Sequence, residues 1–153
     1  MERATFAAGC FWGVEAAFSK VEGVISTKVG YTGGTLKDPT YKDVSTGSTG
    51  HAESIDIIFD ESVITYGELL EVLWNTHDPT TKDSQGPDHG SQYRSAIFYH
   101  DDAQREAALR SREQLERSGK YDSTIKTEIV KASEFSPAED YHQKYFQKLQ
   151  FKR

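Results

Sequence analysis

A single cysteine, Cys10, places the tightest constraint on how this chain can fold. One thiol allows no internal disulfide, no CxxC redox pair and no cysteine-rich zinc site, so an ordinary apolar core has to hold the structure. The length of 153 residues suits one domain over 1–153, able to bury about two-thirds of its unfolded surface. No apolar run approaches the roughly 20 residues that span a bilayer. The N-terminus has no basic region followed by an apolar stretch of the kind that directs secretion, so the cytoplasm is the expected compartment. The formal charge of −6 repels a phosphate backbone, and no basic patch is visible, which argues against nucleic-acid binding.

The apolar pattern alternates between strand and helix. Arg3 to Ala8 is a short strand-like run ending at Gly9. Phe11, Val14, Glu15 and Phe18 then follow at the i, i+3, i+4, i+7 spacing of a helix that opens at or near Cys10. Val21 to Tyr31 returns to strand character, and a loop from Gly33 to Thr49, rich in Gly, Thr, Ser and Asp, follows it. A loop of that length inside a compact domain is more often functional than idle. Glu53 to Phe59 reads as a strand, Tyr66 to Asn75 as an amphipathic helix ended by Asp78-Pro79, and Thr80 to Gln92 as a second glycine-rich loop. Ala96 to Tyr99 is an apolar strand, and Asp101 and Asp102 suit the cap of a long helix ending near Gly119. Ile125 to Val130 is a last strand, and Ser136-Pro137-Ala138-Glu139 has the form of a helix start, with Ser as N-cap and Pro in the first helical position. The order β-α-β-β-α-β-α-β-α predicts an α+β two-layer sandwich with a mixed sheet around a split-βαβ, ferredoxin-like core.

A lone cysteine is usually inert core. Three features set Cys10 apart. It follows a glycine at a strand-to-helix junction, where the unpaired N–H groups of the first turn face its sulfur. That favours a thiolate, but a helix end is worth only ~0.3–1 kcal/mol, so partial activation is expected and something else has to help. Phe11 and Trp12 put two large aromatics where a first turn is ordinarily polar, and Gly13 leaves space near the backbone. Flanking a thiol, the two rings make a plausible pocket for a small apolar group.

Gly9-Cys10-Phe11-Trp12-Gly13 resembles the signature of the A-type peptide methionine sulfoxide reductases. Four more segments resemble the family in the same order: Gly30 to Gly34; Tyr41 through Val44 and Gly47 to Glu53; His77 to Thr80 with Gly86, Asp88 and Gly90 to Ser95; and Ala138 to Tyr145. The resemblance implies that Cys10 attacks a sulfoxide sulfur and becomes a sulfenic acid. It implies that Tyr31, Tyr93 and Glu53 supply hydrogen bonds to the departing oxygen. Asp88 would support the thiol's environment, and Phe11 and Trp12 would hold the substrate methyl group, so that the S epimer is selected. Glu53 can donate only when protonated, which requires burial to raise its pKa. Free methionine sulfoxide or oxidised proteins and peptides are the implied substrates, with no bound cofactor, and an accessible site suits a monomer.

The chain also departs from the family. Relatives commonly resolve the sulfenic acid with a second cysteine, and many carry a cysteine where this chain has Ser45. The resemblance therefore implies an external thiol reductant: a thioredoxin- or glutaredoxin-like protein, or a small thiol. Two other readings stay open on residue types alone. A Cys-His hydrolase or transferase could use His51, His77 or His89 as base, and a non-catalytic module could bind a sulfoxide or peptide on Phe11 and Trp12. The histidines, with Asp78 and Asp88, lack a standard metal-ligand spacing, so no metal site is expected.

Overall fold

In the computed structural model, which describes residues 1–146 and 148, the apolar alternation sorts the chain into a sheet with helices on one face. The elements run β1 (Glu2–Ala8), α1 (Phe11–Ser19), β2 (Val24–Thr32), α2 (Tyr41–Ser45), β3 (Ala52–Phe59) and α3 (Tyr66–Trp74). A two-residue hairpin, β4 (Ser84–Gln85) with β5 (Asp88–His89), precedes β6 (Ser95–Tyr99), α4 (Asp102–Arg117), β7 (Glu128–Lys131) and β8 (Ser136–Pro137). The main sheet has the order β7-β6-β1-β3-β2-β8. Its four central strands are antiparallel to one another, and β7 joins β6 in parallel. This is the mixed sheet and split-βαβ core expected from the sequence.

Alternate residues of the strands explain the layers. Phe6, Ile55, Ile57 and Ile97 face the helices and pack with Phe18 of α1, Leu69, Leu70 and Leu73 of α3 and Ala108 of α4 in one core cluster. Removing a buried leucine from such a core typically costs ~2–5 kcal/mol. Short polar side chains cap α3 and α4: Thr65 accepts from the Glu68 N–H and Glu68 reaches back to the Thr65 N–H, while Asp101 accepts from the Gln104 N–H at 2.8 Å.

Four boundaries differ from the sequence reading. β2 begins at Val24, because Val21 sits in a turn closed by its N–H on the Phe18 carbonyl. The loop from Gly33 to Thr49 contains α2, started by a reciprocal Thr40–Asp43 capping box. The last long strand begins at Glu128, since the Lys126 N–H is drawn to the Pro79 carbonyl instead of a ladder partner. Ser136-Pro137 does not start a helix. It pairs with Gly30 and Tyr31 on the sheet edge, where proline's missing N–H is tolerated. Gly30 makes that approach possible, because a Cβ there would lie 2.4 Å from the Ser136 carbonyl oxygen and 2.6 Å from the Phe135 ring. Edge pairing wins over a good capping sequence.

Candidate active site

The end of β1 meets the beginnings of β3 and β6 at one margin of the sheet, and Cys10 stands there as the N-cap of α1. Gly9 makes the turn at φ +93°, and a Cβ on it would collide with Gln85 of the β4–β5 hairpin, so glycine is required both for conformation and for space. The amides of the first turn of α1 are divided between two groups. Those of Trp12 and Gly13 favour the Cys10 thiolate electrostatically without a capping hydrogen bond to the sulfur, and that of Phe11 donates to Glu53 Oε1 at 3.3 Å. The first-turn donors that a helix leaves unpaired thus serve both the thiol and its neighbouring acid.

The thiol is not pulled toward ionisation. Burial, the largest influence, pushes the Cys10 pKa up and the Trp12 N–H opposes it; Glu53 and Asp88 raise it further, and the Gly13 N–H opposes these. The net direction is upward, which corrects the expectation of a partly activated thiolate: the helix end is outweighed. Glu53, at the head of β3 and only 2% exposed, is pushed from 4.5 up to about 7, chiefly by burial, with the Phe11 amide opposing and Asp88 adding to the rise. A carboxyl whose pKa lies near neutrality beside a thiol is able both to accept and to donate a proton.

Tyr93, half-buried as the last residue of the Ser91–Tyr93 3-10 turn, and Tyr41, the first residue of α2, are hydrogen-bonded through their hydroxyls. Burial first and then Glu53 raise both pKa values, so both stay donors. Asp88 on β5 lies within electrostatic reach of Cys10, Glu53 and Tyr93. Tyr31 sits opposite Glu53 across β2 and β3, and its ring packs 5.7 Å from that of Phe11. Its hydroxyl, however, donates to Glu139 at 3.0 Å, and the other oxygen of Glu139 accepts from the Tyr41 N–H at 3.1 Å. Tyr31 is thus tied to the position of Tyr41.

Phe11 is buried, and Trp12 is half-buried with its indole N–H donating to His142 Nδ1 at 3.0 Å and its face stacked on Tyr145 at 3.9 Å. Tyr41, Glu139, His142 and Tyr145 were given no role by the sequence reading, although all four lie in segments that carried the family resemblance, the last three in Ala138 to Tyr145. Nothing in their local pattern says that the chain after β8 folds back over the first turn of α1.

Two of the three histidines considered as bases are occupied elsewhere. The His51 ring takes the Gly34 N–H on Nδ1 and donates from Nε2 to the Leu36 carbonyl, closing the loop after β2. His77 donates from Nδ1 to the Leu73 carbonyl and accepts the Ser95 hydroxyl on Nε2, and burial holds its pKa down at about 4. His89 is exposed on the hairpin. Among the described residues no histidine hydrogen-bonds to Cys10, no group of three or more His, Cys, Asp or Glu side chains could hold a metal ion, and no helix is long and apolar enough to cross a membrane.

A thiol paired with a protonatable carboxyl and tyrosine donors, without an imidazole base, is equipped for redox chemistry at sulfur and places the protein among the cysteine oxidoreductases. Comparison with known proteins narrows this. The family model for peptide methionine sulfoxide reductase matches residues 2–153. A peptide methionine sulfoxide reductase of Methanosarcina mazei is 59% identical over 151 residues, which cover 99% of this chain and 72% of that one. Among solved structures, reduced Mxr1 of Saccharomyces cerevisiae superposes with a TM-score of 0.91 at 38% identity, covering 96% of this chain and 84% of the yeast chain. Mxr1 in complex with Trx2 superposes at 0.66 with 26% identity, covering 94% and 84%. The chain belongs to the peptide methionine sulfoxide reductase family.

Proposed function

We propose that the chain reduces the S epimer of methionine sulfoxide, free or in oxidised proteins, with Cys10 as nucleophile and Glu53 as proton donor. The observation that carries the roles is the pairing of a thiol and a carboxyl on one helix turn, with Glu53 pushed up to about 7. Near pH 7 Glu53 exists in both forms; its ionised form takes the thiol's proton, which removes the negative charge that opposes thiolate formation and leaves the carboxyl protonated for the next step. The thiolate attacks the sulfoxide sulfur while Glu53 protonates the oxygen. The S–S bond so formed and the substrate's S–O bond then break as the protonated oxygen passes to Cys10; methionine leaves with its sulfur reduced by two electrons, and Cys10, oxidised by two, is left as a sulfenic acid.

Tyr41 and Tyr93 supply the hydrogen bonds to the oxygen. Tyr31, whose hydroxyl is held by Glu139, positions Tyr41 instead of donating. Asp88 tunes Glu53 and the thiol. The substrate methyl lies against Phe11 and Trp12, and fixing oxygen and methyl together leaves one epimer able to present its sulfur to Cys10.

With one cysteine in the chain, a thiol from outside attacks the sulfenic acid, water leaves, and a second thiol breaks the mixed disulfide to restore Cys10. A thioredoxin-like protein is the reductant favoured by the family, since yeast Mxr1 has been captured with Trx2. A thiol catalyst recycled this way suits the reducing cytoplasm.

Incubation with a methionine sulfoxide peptide and dithiothreitol should yield methionine, and Cys10→Ser should yield none. Without reductant, about one equivalent of methionine per enzyme is expected, because the oxidised sulfur has no internal partner. Sustained turnover with no added thiol would refute the scheme.

A further inference from the structure

We propose that Glu15 is a positioning residue that fixes Trp12 by anchoring the segment after β8 across it; this rests on the reading of Trp12 as a wall of the methyl niche. Glu15 lies on α1 and is 1% exposed. Both of its carboxylate oxygens are taken. The Lys144 N–H donates to Oε1 at 2.6 Å, the Thr27 hydroxyl donates to Oε2 at 2.7 Å, and the Lys144 ammonium stands 3.9 Å from Oε2. This buried carboxylate has no part in the reaction described above, and its shortest contact is with the backbone of a different part of the chain.

That part of the chain clamps the indole. The Gln143 side chain accepts from the Val29 N–H at 2.9 Å and donates to the Val29 carbonyl at 2.8 Å, replacing a strand neighbour on β2. On either side of the pair 143–144, His142 accepts the Trp12 indole N–H and Tyr145 stacks on its face, the planes within 13° of parallel. Lys144 between them takes φ +54°, a conformation uncommon for residues other than glycine. A hydrogen bond to a carboxylate is short and directional, so it fixes where Tyr145 falls on the indole. Stacking alone would allow the rings to slide.

The indole N–H groups provide the test, since the chain has two tryptophans and that of Trp74 donates to Ser111 in the main core at 2.8 Å. Trp74 therefore reports global opening and Trp12 reports the clamp. In Glu15→Ala, hydrogen exchange at the Trp12 indole should accelerate about tenfold relative to Trp74. KM for a methionine sulfoxide peptide should rise about five- to tenfold, up to the lower end of the ~10–200-fold that a methylene-sized apolar contact can carry, with kcat within about twofold. Glu15→Gln should restore both, because its carbonyl can accept from Lys144 and its amide can donate to the Thr27 hydroxyl. Gln143→Ala should shift both readouts in the same direction as Glu15→Ala and serves if the latter does not fold. Equal acceleration at the two indoles, or no rescue by Glu15→Gln, would overturn the proposal. An unchanged KM in Trp12→Ala would instead refute the niche reading, and the exchange ratio alone would then decide the clamp.

Discussion

Two buried glutamates serve the same aromatic pair, and the chain surrounds them differently. Glu15 has two short donors and an ammonium around its carboxylate. Glu53, buried to the same degree, receives one amide at 3.3 Å and faces another acid, Asp88. Burial without compensation pushes a carboxyl toward its neutral form. The comparison teaches that burial alone does not define a catalytic acid; the number of donors left out does. A carboxyl meant to hold structure is surrounded by donors, whereas one meant to release a proton is kept short of them.

The contrast can be broken first at Glu53. Glu53→Ala should lower kcat/KM by about 10²–10³, the scale of a lost oxyanion donor, and Glu53→Gln should lose less because an amide still donates. Equal losses in a steady-state assay would mean that the proton Glu53 carries to the oxygen, and not its hydrogen bond, accounts for its whole effect. Next come the tyrosines. Tyr41→Phe and Tyr93→Phe should each cost about tenfold, and the double variant less than the product of the two, since their hydroxyls share one hydrogen bond. Tyr31→Phe should cost only about two- to threefold, as expected for a residue acting through a partner; a loss as large as that of Tyr41→Phe would return Tyr31 to the oxygen.

A separate effect is on stability. The folded Glu53 holds its proton up to about 7 while the unfolded side chain releases it near 4.5, so stability should fall as pH rises through that window. At roughly 1.4 kcal/mol per tenfold, the full span is about 3 kcal/mol. Glu53→Gln should therefore melt at about the same temperature as the parent at pH 4 and about 5–10 °C higher at pH 8. Matching melting curves at pH 8 would show that Glu53 is not strained by ionising.

Much of this was legible in the sequence, for reasons that differ by residue. The layers follow from the periods of Phe6, Ile55, Ile57 and Leu69 to Leu73 because alternation is local. The position of Cys10 followed from Gly9 and the stripe after it. Helix α2 was legible in principle, since Thr40 and Asp43 form a capping box, but the glycines around it made the segment read as loop. The exchange of Tyr31 for Tyr41 was not legible. Strand register puts Tyr31 beside Glu53, and only the return of Glu139 over both tyrosines diverts its hydroxyl. The thiol's direction was misread because a helix end is a local feature and burial is not. Ser136 and Pro137 carry a helix-start pattern, and only the bare backbone of Gly30, distant in sequence, reveals a strand edge instead.

That bare backbone has a wider reach. Because β8 can lie against β2 only where no side chain intervenes, a single methyl at position 30 would lift Glu139 away from both tyrosines and loosen the aromatic cover on Trp12. A lesion mapped to the middle of a strand would then look, in any kinetic assay, like damage to the substrate pocket.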